Sequence, residues 1–418
     1  MTRQTDIEKN QAIKETYLAT LERRKGQECK VFKVKIQENK LNAMQRNFLK
    51  MVFVEAKWMY NATLALSKQG EDVFKMKYTD FSEVTHLDKD RNSIVSTLTY
   101  ITSQMRQDVL TGIWTNIRAL AKSKAEGNKV GELGFISDYA SVNLKQYGTT
   151  YKLVDRNKIK IQGCKKPFKV NGLKQLRSLG QYELANAKLL NTPDGYYIAI
   201  TTFVPRTEKT PVSLMGVDFG CQTSLTCSDG TKYNCTVEET DRIKRLKRKA
   251  SRQVKGSKNS RKTWGKIGKL NAKLSRKRDD AANKVAHELY DYTVVMQDEQ
   301  LRAWSHRHGK KIQYGILGRV KARFARREDT VVLSKWCPTT KLCTCCGERV
   351  DIKLNERTFV CPHCGATMDR DVHAAQNMLW FYENNIGVGR TDFKPAELWE
   401  EVIDRFPELK QEAAKSLV

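Results

Sequence analysis

Apolar and polar positions along this chain switch between two periods, and the switches divide it. Residues 31–36, Val-Phe-Lys-Val-Lys-Ile, alternate as a strand does, after which Leu41, Met44, Phe48, Met51, Trp58 and Ala62 keep roughly helical spacing. The spacing predicts a strand followed by a long amphipathic helix. Residues 70–100 are polar and read as loop. The stretch 101–125 returns to a helical pattern, with Met105, Val109, Ile113, Ile117 and Leu120 on one face. From about 140 to 205 strands take over at 151–154, 158–162, 182–190 and 196–204, the last two joined by the turn signal Thr192-Pro193-Asp194-Gly195. The pattern predicts one β-rich module interrupted by a helical insertion, closed by a linker at Pro205 to Pro211.

Beyond the linker, residues 213–220, 224–229 and 232–237 read as three short strands. A basic stretch at 242–278 follows. Then come a helix at 279–290, a strand at 293–299, a helix at 311–326, a strand at 330–335, a cysteine-rich segment and a last helix over 370–383. A hairpin followed by alternating helix and strand is the order of an α/β layer protein of ribonuclease-H type. In that order the first and fourth strands are neighbours and the last helix crosses their ends. The fold class expected is multidomain α+β: a β-rich, barrel-like module with a helical insertion, then an α/β layer unit.

Charge changes the picture from architecture to partner. The 418 residues contain 75 Lys and Arg against 47 Asp and Glu, a formal net charge of +28, for which a nucleic acid is the natural counter-charge. Between Arg242 and Arg278 there is no acidic residue. Ile243, Leu246 and Ala250, then Ile267, Leu270 and Leu274, form two apolar stripes, so two helices hinged at 255–260 are expected. Their other faces carry Lys244, Arg245, Lys247, Arg248, Arg252, Lys258, Arg261 and Lys262, without acids to pair them, which favours phosphate contacts. Trp264 either stacks on a base or packs. The N-terminus lacks the apolar core of a secretion signal, and no apolar run approaches the ~20 residues needed to span a bilayer. A soluble, cytoplasmic protein without membrane association is expected.

Eleven cysteines in such a chain are not a disulfide framework. Cys29, Cys164, Cys221, Cys227 and Cys235 are scattered and read as small buried side chains. Cys343-Thr-Cys345-Cys346-Gly347 and Cys361-Pro-His363-Cys364-Gly365 are two Cys-x-x-Cys-Gly knuckles, and that spacing suits a tetrahedral Zn²⁺ on Cys343, Cys346, Cys361 and Cys364. Cys345 and His363 are the spare donors. Four thiolates leave no open position, so the zinc expected is structural, and chemistry must come from elsewhere.

Three acids supply it. Asp218 ends an apolar strand in Gly216-Val217-Asp218-Phe219-Gly220. Glu299 shares a strand face with Gln297, while Asp298 points away. Asp369 caps the last helix, and Asp371 falls in its first turn. Convergence of Asp218, Glu299 and Asp371 costs free energy unless divalent cations neutralise it, and two Mg²⁺ ions at such a site suit phosphodiester hydrolysis.

Together these pieces resemble the TnpB proteins of insertion sequences and similar miniature type V CRISPR effectors. The resemblance runs from about residue 28 to 385. It rests on the 31–36 strand, Tyr60-Asn61, Gly216 to Gly220, the basic segment, the paired knuckles, and Asp369-Arg370-Asp371 leading into Ala374-Ala375-Gln376-Asn377. It implies an RNA-guided DNA endonuclease with a RuvC-type domain in which Asp218, Glu299 and Asp371 are the catalytic triad. It further implies a guide RNA and target DNA, double- and single-stranded, as partners, with monomeric and homodimeric states both open. The implied divisions are a polar extension at 1–27, a β-rich wedge at 28–60 and 136–210, and a helical recognition insertion at 61–135. They continue with a nuclease domain at 211–336, a zinc ribbon contacting target nucleic acid at 337–368, a final nuclease segment at 369–390 and an acidic tail at 391–418. Two positions depart from the family pattern. Glu-Asp-Leu usually follows the second catalytic strand directly, where this chain has Gln297-Asp298-Glu299; Glu299 is preferred and Asp298 is the other candidate. Asn usually stands where this chain has His373. Two other readings are a cleavage-deficient, RNA-guided transcriptional blocker and a transposase-like strand-transfer enzyme.

Overall fold

The structure, a computed structural model, describes residues 2–88, 90, 92–207, 210–234, 236–353, 355–389 and 395–406. They form two compact units that divide after Thr207.

In chain order the first unit contains α1 (Thr2–Lys25), β1 (Gln27–Ile36), α2 (Ala43–Lys68), β2 (Glu83–Leu87), β3 (Ser93–Thr97), α3 (Ser103–Ala125), β4 (Ser141–Leu144), β5 (Tyr151–Asp155), β6 (Lys158–Ile161), β7 (Phe168–Asn171), α4 (Leu173–Arg177), β8 (Glu183–Thr192) and β9 (Gly195–Pro205). Seven strands make one antiparallel sheet in the order β4-β8-β9-β1-β7-β6-β5. Its two edge regions approach each other: Tyr151 of edge strand β5 donates its hydroxyl to the Ala185 carbonyl of β8 at 2.8 Å. The sheet is therefore nearly a barrel. Asn42 and Gln45 close a capping box at the start of α2, and Phe48, Leu49, Val52, Phe53, Ala56 and Met59 bury one face of it. The Phe48 and Phe168 ring centroids lie 6.0 Å apart, which fixes α2 on the sheet.

The first division gains an element here, and two expectations need correction. The polar N-terminal extension is helical over α1, tied at its end by Arg24 to Glu183 at 2.6 Å. Residues 70–100 are not all loop but contain the β2–β3 hairpin. Leu87, Ile94 and Val95 are exposed there, so no inward-facing alternation marks the strands. The division expected between 60 and 61 falls inside α2, which runs unbroken to Lys68.

Buried Glu55 on α2 organises the turn before α3. Its carboxylate accepts hydrogen bonds from the backbone N–H groups of Thr99, Tyr100 and Ile101 at 3.0, 2.7 and 2.9 Å. Removing it leaves three amide donors without their acceptor, each costing about 1–3 kcal/mol where water cannot replace it. Glu55→Ala should therefore lower unfolding free energy by at least about 3 kcal/mol, read from the denaturant midpoint.

The second unit contains β10 (Ser213–Phe219), β11 (Leu225–Cys227), β12 (Lys232–Tyr233), α5 (Asp241–Ser251), α6 (Lys258–Glu288), β13 (Tyr292–Gln297), α7 (Leu301–Tyr314), α8 (Leu317–Phe324), β14 (Thr330–Leu333), β15 (Thr358–Val360), β16 (Thr367–Asp369), α9 (Arg370–Glu383) and α10 (Pro395–Ile403). Its main sheet has the order β12-β11-β10-β13-β14, antiparallel through the first three and parallel through β10, β13 and β14. The first and fourth strands of this unit are thus neighbours. The basic stretch forms two helices with the expected break between them. The second does not end there, however: α6 continues to Glu288 and absorbs the separate helix read at 279–290. The helix read at 311–326 is split, because Gly315 takes an extended conformation between α7 and α8.

Among the scattered cysteines, Cys164 and Cys227 are buried as expected, whereas Cys29 is exposed and Cys221 half-buried. Cys235 lies outside the described residues, as do residues 407–418 of the acidic tail. The part of that tail in α10 buries Leu398 and Val402 in a cluster with Met378 and Phe381 of α9. No helix among the described residues is long and apolar enough to cross a membrane.

Candidate functional site

Asp218 lies near the C-terminal end of β10, at the centre of the sheet. Its neighbourhood is set by Gly216, where an added Cβ would stand 1.9 Å from the Ala375 carbonyl oxygen. Only glycine lets α9 lie directly on β10, and that approach brings the first turn of α9, with Asp371, to Asp218. Asp369 caps α9, its carboxylate accepting from the amides of Asp371 and Val372 at 3.0 and 3.1 Å, so capping and Asp371 are served by different acids.

Glu299 arrives by a different route from the one its sequence pattern predicts. β13 ends at Gln297, and the strand alternation does not extend to 299. The chain turns instead, with the Glu299 amide donating to the Gln297 carbonyl at 2.8 Å. Lys321 on α8 fixes this turn, donating to the Asp298 carboxylate at 2.7 Å and to the Glu299 carbonyl at 2.8 Å. Asp298 is thereby ion-paired, and the Glu299 side chain acts electrostatically on Asp218.

Burial raises the Asp218 carboxyl well above its ordinary range, and the charges of Asp371 and Glu299 push it further, against a smaller opposing pull from Arg370. Burial also raises Glu299, with Lys321 opposing and Asp298 adding. Asp371 accepts from the Arg370 guanidinium at 3.1 Å. Asp218 thus lies within the electrostatic reach of two further carboxylates, a repulsion that a divalent cation relieves. Beside Glu299 a cleft is lined by Asp298, Arg302, His306 and Lys321, which places two basic side chains and an imidazole next to the acids.

The raised values have a consequence for stability. A carboxyl whose folded value is raised favours folding below its ordinary value, 3.8 for Asp218, and that contribution is lost as pH rises through the raised value. Melting temperature without divalent ions should therefore fall, relative to an Asp218→Asn variant, as pH rises above that ordinary value. Added Mg²⁺ should close the gap.

The four knuckle sulfurs converge. Among the described residues, the Sγ atoms of Cys343, Cys346, Cys361 and Cys364 form the one group of three or more His, Cys, Asp or Glu ligand atoms that all lie within 4.8 Å of one another. Each knuckle turns on its glycine: Gly347 donates to Cys343 at 2.7 Å and Gly365 to Cys361 at 3.0 Å, with φ of +81° and +73°. The Ala366 amide draws the Cys364 thiol down to about 7, whereas burial raises Cys343. Four sulfurs at this spacing can hold a zinc ion. Cys345 is exposed, and exposed His363 lies 3.9 Å from Glu348, so neither spare donor joins the cluster.

Sequence reasoning missed how the cysteine segment is joined to the acids. Asn377 on α9 donates to the Thr339 and Leu342 carbonyls at 2.7 and 2.8 Å, and buried Gln297 donates to those of Ser334 and Cys337 at 3.0 and 2.8 Å. His373 does not reach into the acidic cluster as a hydrogen-bonding residue. It is buried, stacked on Phe359 of β15 at 3.7 Å, and drawn down to about 4 by burial. The helical spacing of His373 and Asn377 was the available signal, since i and i+4 mark one face.

On the basic segment, Lys244 pairs with Asp241 at 3.6 Å and Lys247 with Glu239, acids lying just outside the acid-free stretch. Arg245, Arg248, Arg252, Lys258, Arg261 and Lys262 are exposed and have no acidic partner among the described residues. Arg245, Arg248, Lys249, Arg252 and Gln253 line a cleft.

The fold and site define an α/β layer unit with acids brought together by β10, the turn after β13 and α9, and with a four-cysteine segment joined to that same helix. Two family models match it: a probable transposase family of the IS605 OrfB kind over residues 197–303, and the Cas12f1-like TNB domain over 319–378. Between them they contain all three acids and all four knuckle cysteines. A putative RNA-guided DNA endonuclease of Streptomyces pristinaespiralis is 33% identical over 185 residues, 40% of this chain and 44% of that protein, so the chain spans less than half of that relative's length. A chain from the cryo-EM structure of the Cas12f1–sgRNA–target DNA complex aligns over 80% of this chain and 81% of its own, at 13% identity and a TM-score of 0.43. These matches agree with the TnpB-like resemblance read from the sequence.

Proposed function

We propose that this chain is an RNA-guided DNA endonuclease with a RuvC-type core. The observation that carries the reading is the approach of Asp371, from the start of α9, and Glu299, from the turn after β13, to Asp218 on β10, whose carboxyl is raised by burial and then by these two acidic neighbours. These three carboxylates would hold two Mg²⁺ ions. Bound there, such ions supply an activated water and stabilise the leaving oxygen of phosphodiester hydrolysis. Lys321 neutralises Asp298 and leaves Glu299 for the cluster, while Arg302 and His306 offer donors to substrate phosphates at the neighbouring cleft. The curated relative's name supports guide RNA and target DNA as partners. In this reading the barrel-like unit grips guide and target, and the six unpaired basic residues of α5, α6 and their hinge hold phosphates.

The four cysteines would hold a structural zinc ion, worth on the order of 10 kcal/mol to the ribbon's folding. Cys361→Ser should lower bound zinc, measured by elemental analysis, from about one ion per chain toward zero. It should also reduce cleavage at least about tenfold by loosening α9, without removing a magnesium ligand. Survival of full cleavage would make the ribbon a peripheral contact.

The experiment for the whole reading is to sequence the RNA that co-purifies with the chain, then supply duplex DNA matching its variable end with and without Mg²⁺. A discrete RNA species and Mg²⁺-dependent cutting are expected. Heterogeneous RNA and no cutting would overturn the proposal, and a discrete RNA with binding alone would favour the cleavage-deficient blocker.

A further inference from the structure

Trp264 lies on α6 between Lys262 and Lys266, and the structure decides against its packing in the core: it is 55% exposed. The buried face of α6 is carried by Thr263, Ile267 and Leu274, so the indole is not needed to seat the helix. Among the described residues it has no hydrogen bond, ring stack or cation–π contact. Its neighbours on the helix surface are Arg261 three residues before and Gly268 four residues after. Gly268 has no side chain to cover the ring, and at Gly265 an added Cβ would meet nothing within 4 Å. The chain therefore carries two glycines inside a long helix, against helix propensity; at Gly265 its own packing does not require one. What they leave open is the helix surface around an aromatic ring rimmed by exposed Arg261, Lys262 and Lys266.

We propose that Trp264 is a stacking platform for an unpaired nucleobase, with Arg261, Lys262 and Lys266 holding the phosphates on either side. This rests on the reading of the chain as a nucleic-acid protein and adds a contact that reads neither charge nor sequence. An exposed aromatic within a cationic stripe binds single strands because every base presents a π-face, while a paired base in a duplex does not. Single-stranded RNA and single-stranded DNA offer the same chemistry, and the test separates them.

The experiment titrates short homopolymeric RNA and DNA strands, and matching strands with abasic sites, into the full chain freed of bound RNA. The parent, Trp264→Ala and Trp264→Phe proteins are compared at several salt concentrations. Trp264→Ala should weaken binding of base-bearing RNA, DNA or both about five- to a hundredfold. It should leave the abasic strands and the salt slope unchanged, and Trp264→Phe should recover most of the loss. The strand that shows the loss is the ligand. Equal binding by parent and Trp264→Ala would overturn the proposal, as would a loss shared by abasic strands or one that Phe does not restore. A parent that binds no strand in a salt-dependent way would instead strike at the nucleic-acid reading on which the proposal stands.

Discussion

Asp218→Asn should reduce Mg²⁺-dependent cleavage by at least about a thousandfold, an effect of roughly 4 kcal/mol on the barrier. The substitution keeps the shape of the side chain and removes the charge at the centre of the cluster. Guide and target binding should persist, since no basic residue is touched. The same variant should melt higher than the parent in Mg²⁺-free buffer, because the charged form of Asp218 is opposed by burial and by Asp371 and Glu299. Gain of stability with loss of activity is the signature of a residue kept at a cost to the fold. A variant that cut normally, or melted lower without metal, would remove Asp218 from the centre of the site.

The second large effect concerns a residue with no chemistry of its own. Gly216→Ala places a methyl group 1.9 Å from the Ala375 carbonyl, a backbone atom that cannot swing aside. Either β10 or α9 must move, at a cost of about 3 kcal/mol or more. Because those two elements carry Asp218 and Asp371, the displacement separates the acids as well as weakening the unit. Cleavage should fall at least about a hundredfold even where the protein remains folded, and excess Mg²⁺ should recover little of it. Thermal melting and cutting at several Mg²⁺ concentrations check both halves; normal cutting by a folded Gly216→Ala protein would show that α9 does not position the site.

The elements legible in the sequence were those with a buried stripe or face. The last helix was read at 370–383, where α9 stands, because Ala374, Ala375, Met378 and Phe381 repeat on one buried face. The neighbouring first and fourth strands followed from the order of short apolar runs, and the knuckles from spacing alone. The β2–β3 hairpin was not legible, since both its faces are largely exposed. Helix α6 was cut short because the acids Asp279 and Asp280 end the basic composition without ending the helix; exposed charge carries no information about where a helix stops. Glu299 was placed by strand alternation, yet a backbone turn after Gln297 and the grip of Lys321 put it where it is. His373, which stands where the family pattern has Asn, belongs to the packing against Phe359. Tertiary contacts of this kind join residues several helical turns or more apart along the chain and leave no local period.

The way α9 is shared also bears on engineering. One face of the helix packs on β10, while His373 and Asn377 hold β15 and the loop before the first knuckle. A graft that exchanged only residues 337–368 for a relative's ribbon would leave His373 and Asn377 facing foreign partners. Chimaeras between such chains should therefore be cut at Ser334 and after Glu383, so that ribbon and helix travel as one cassette.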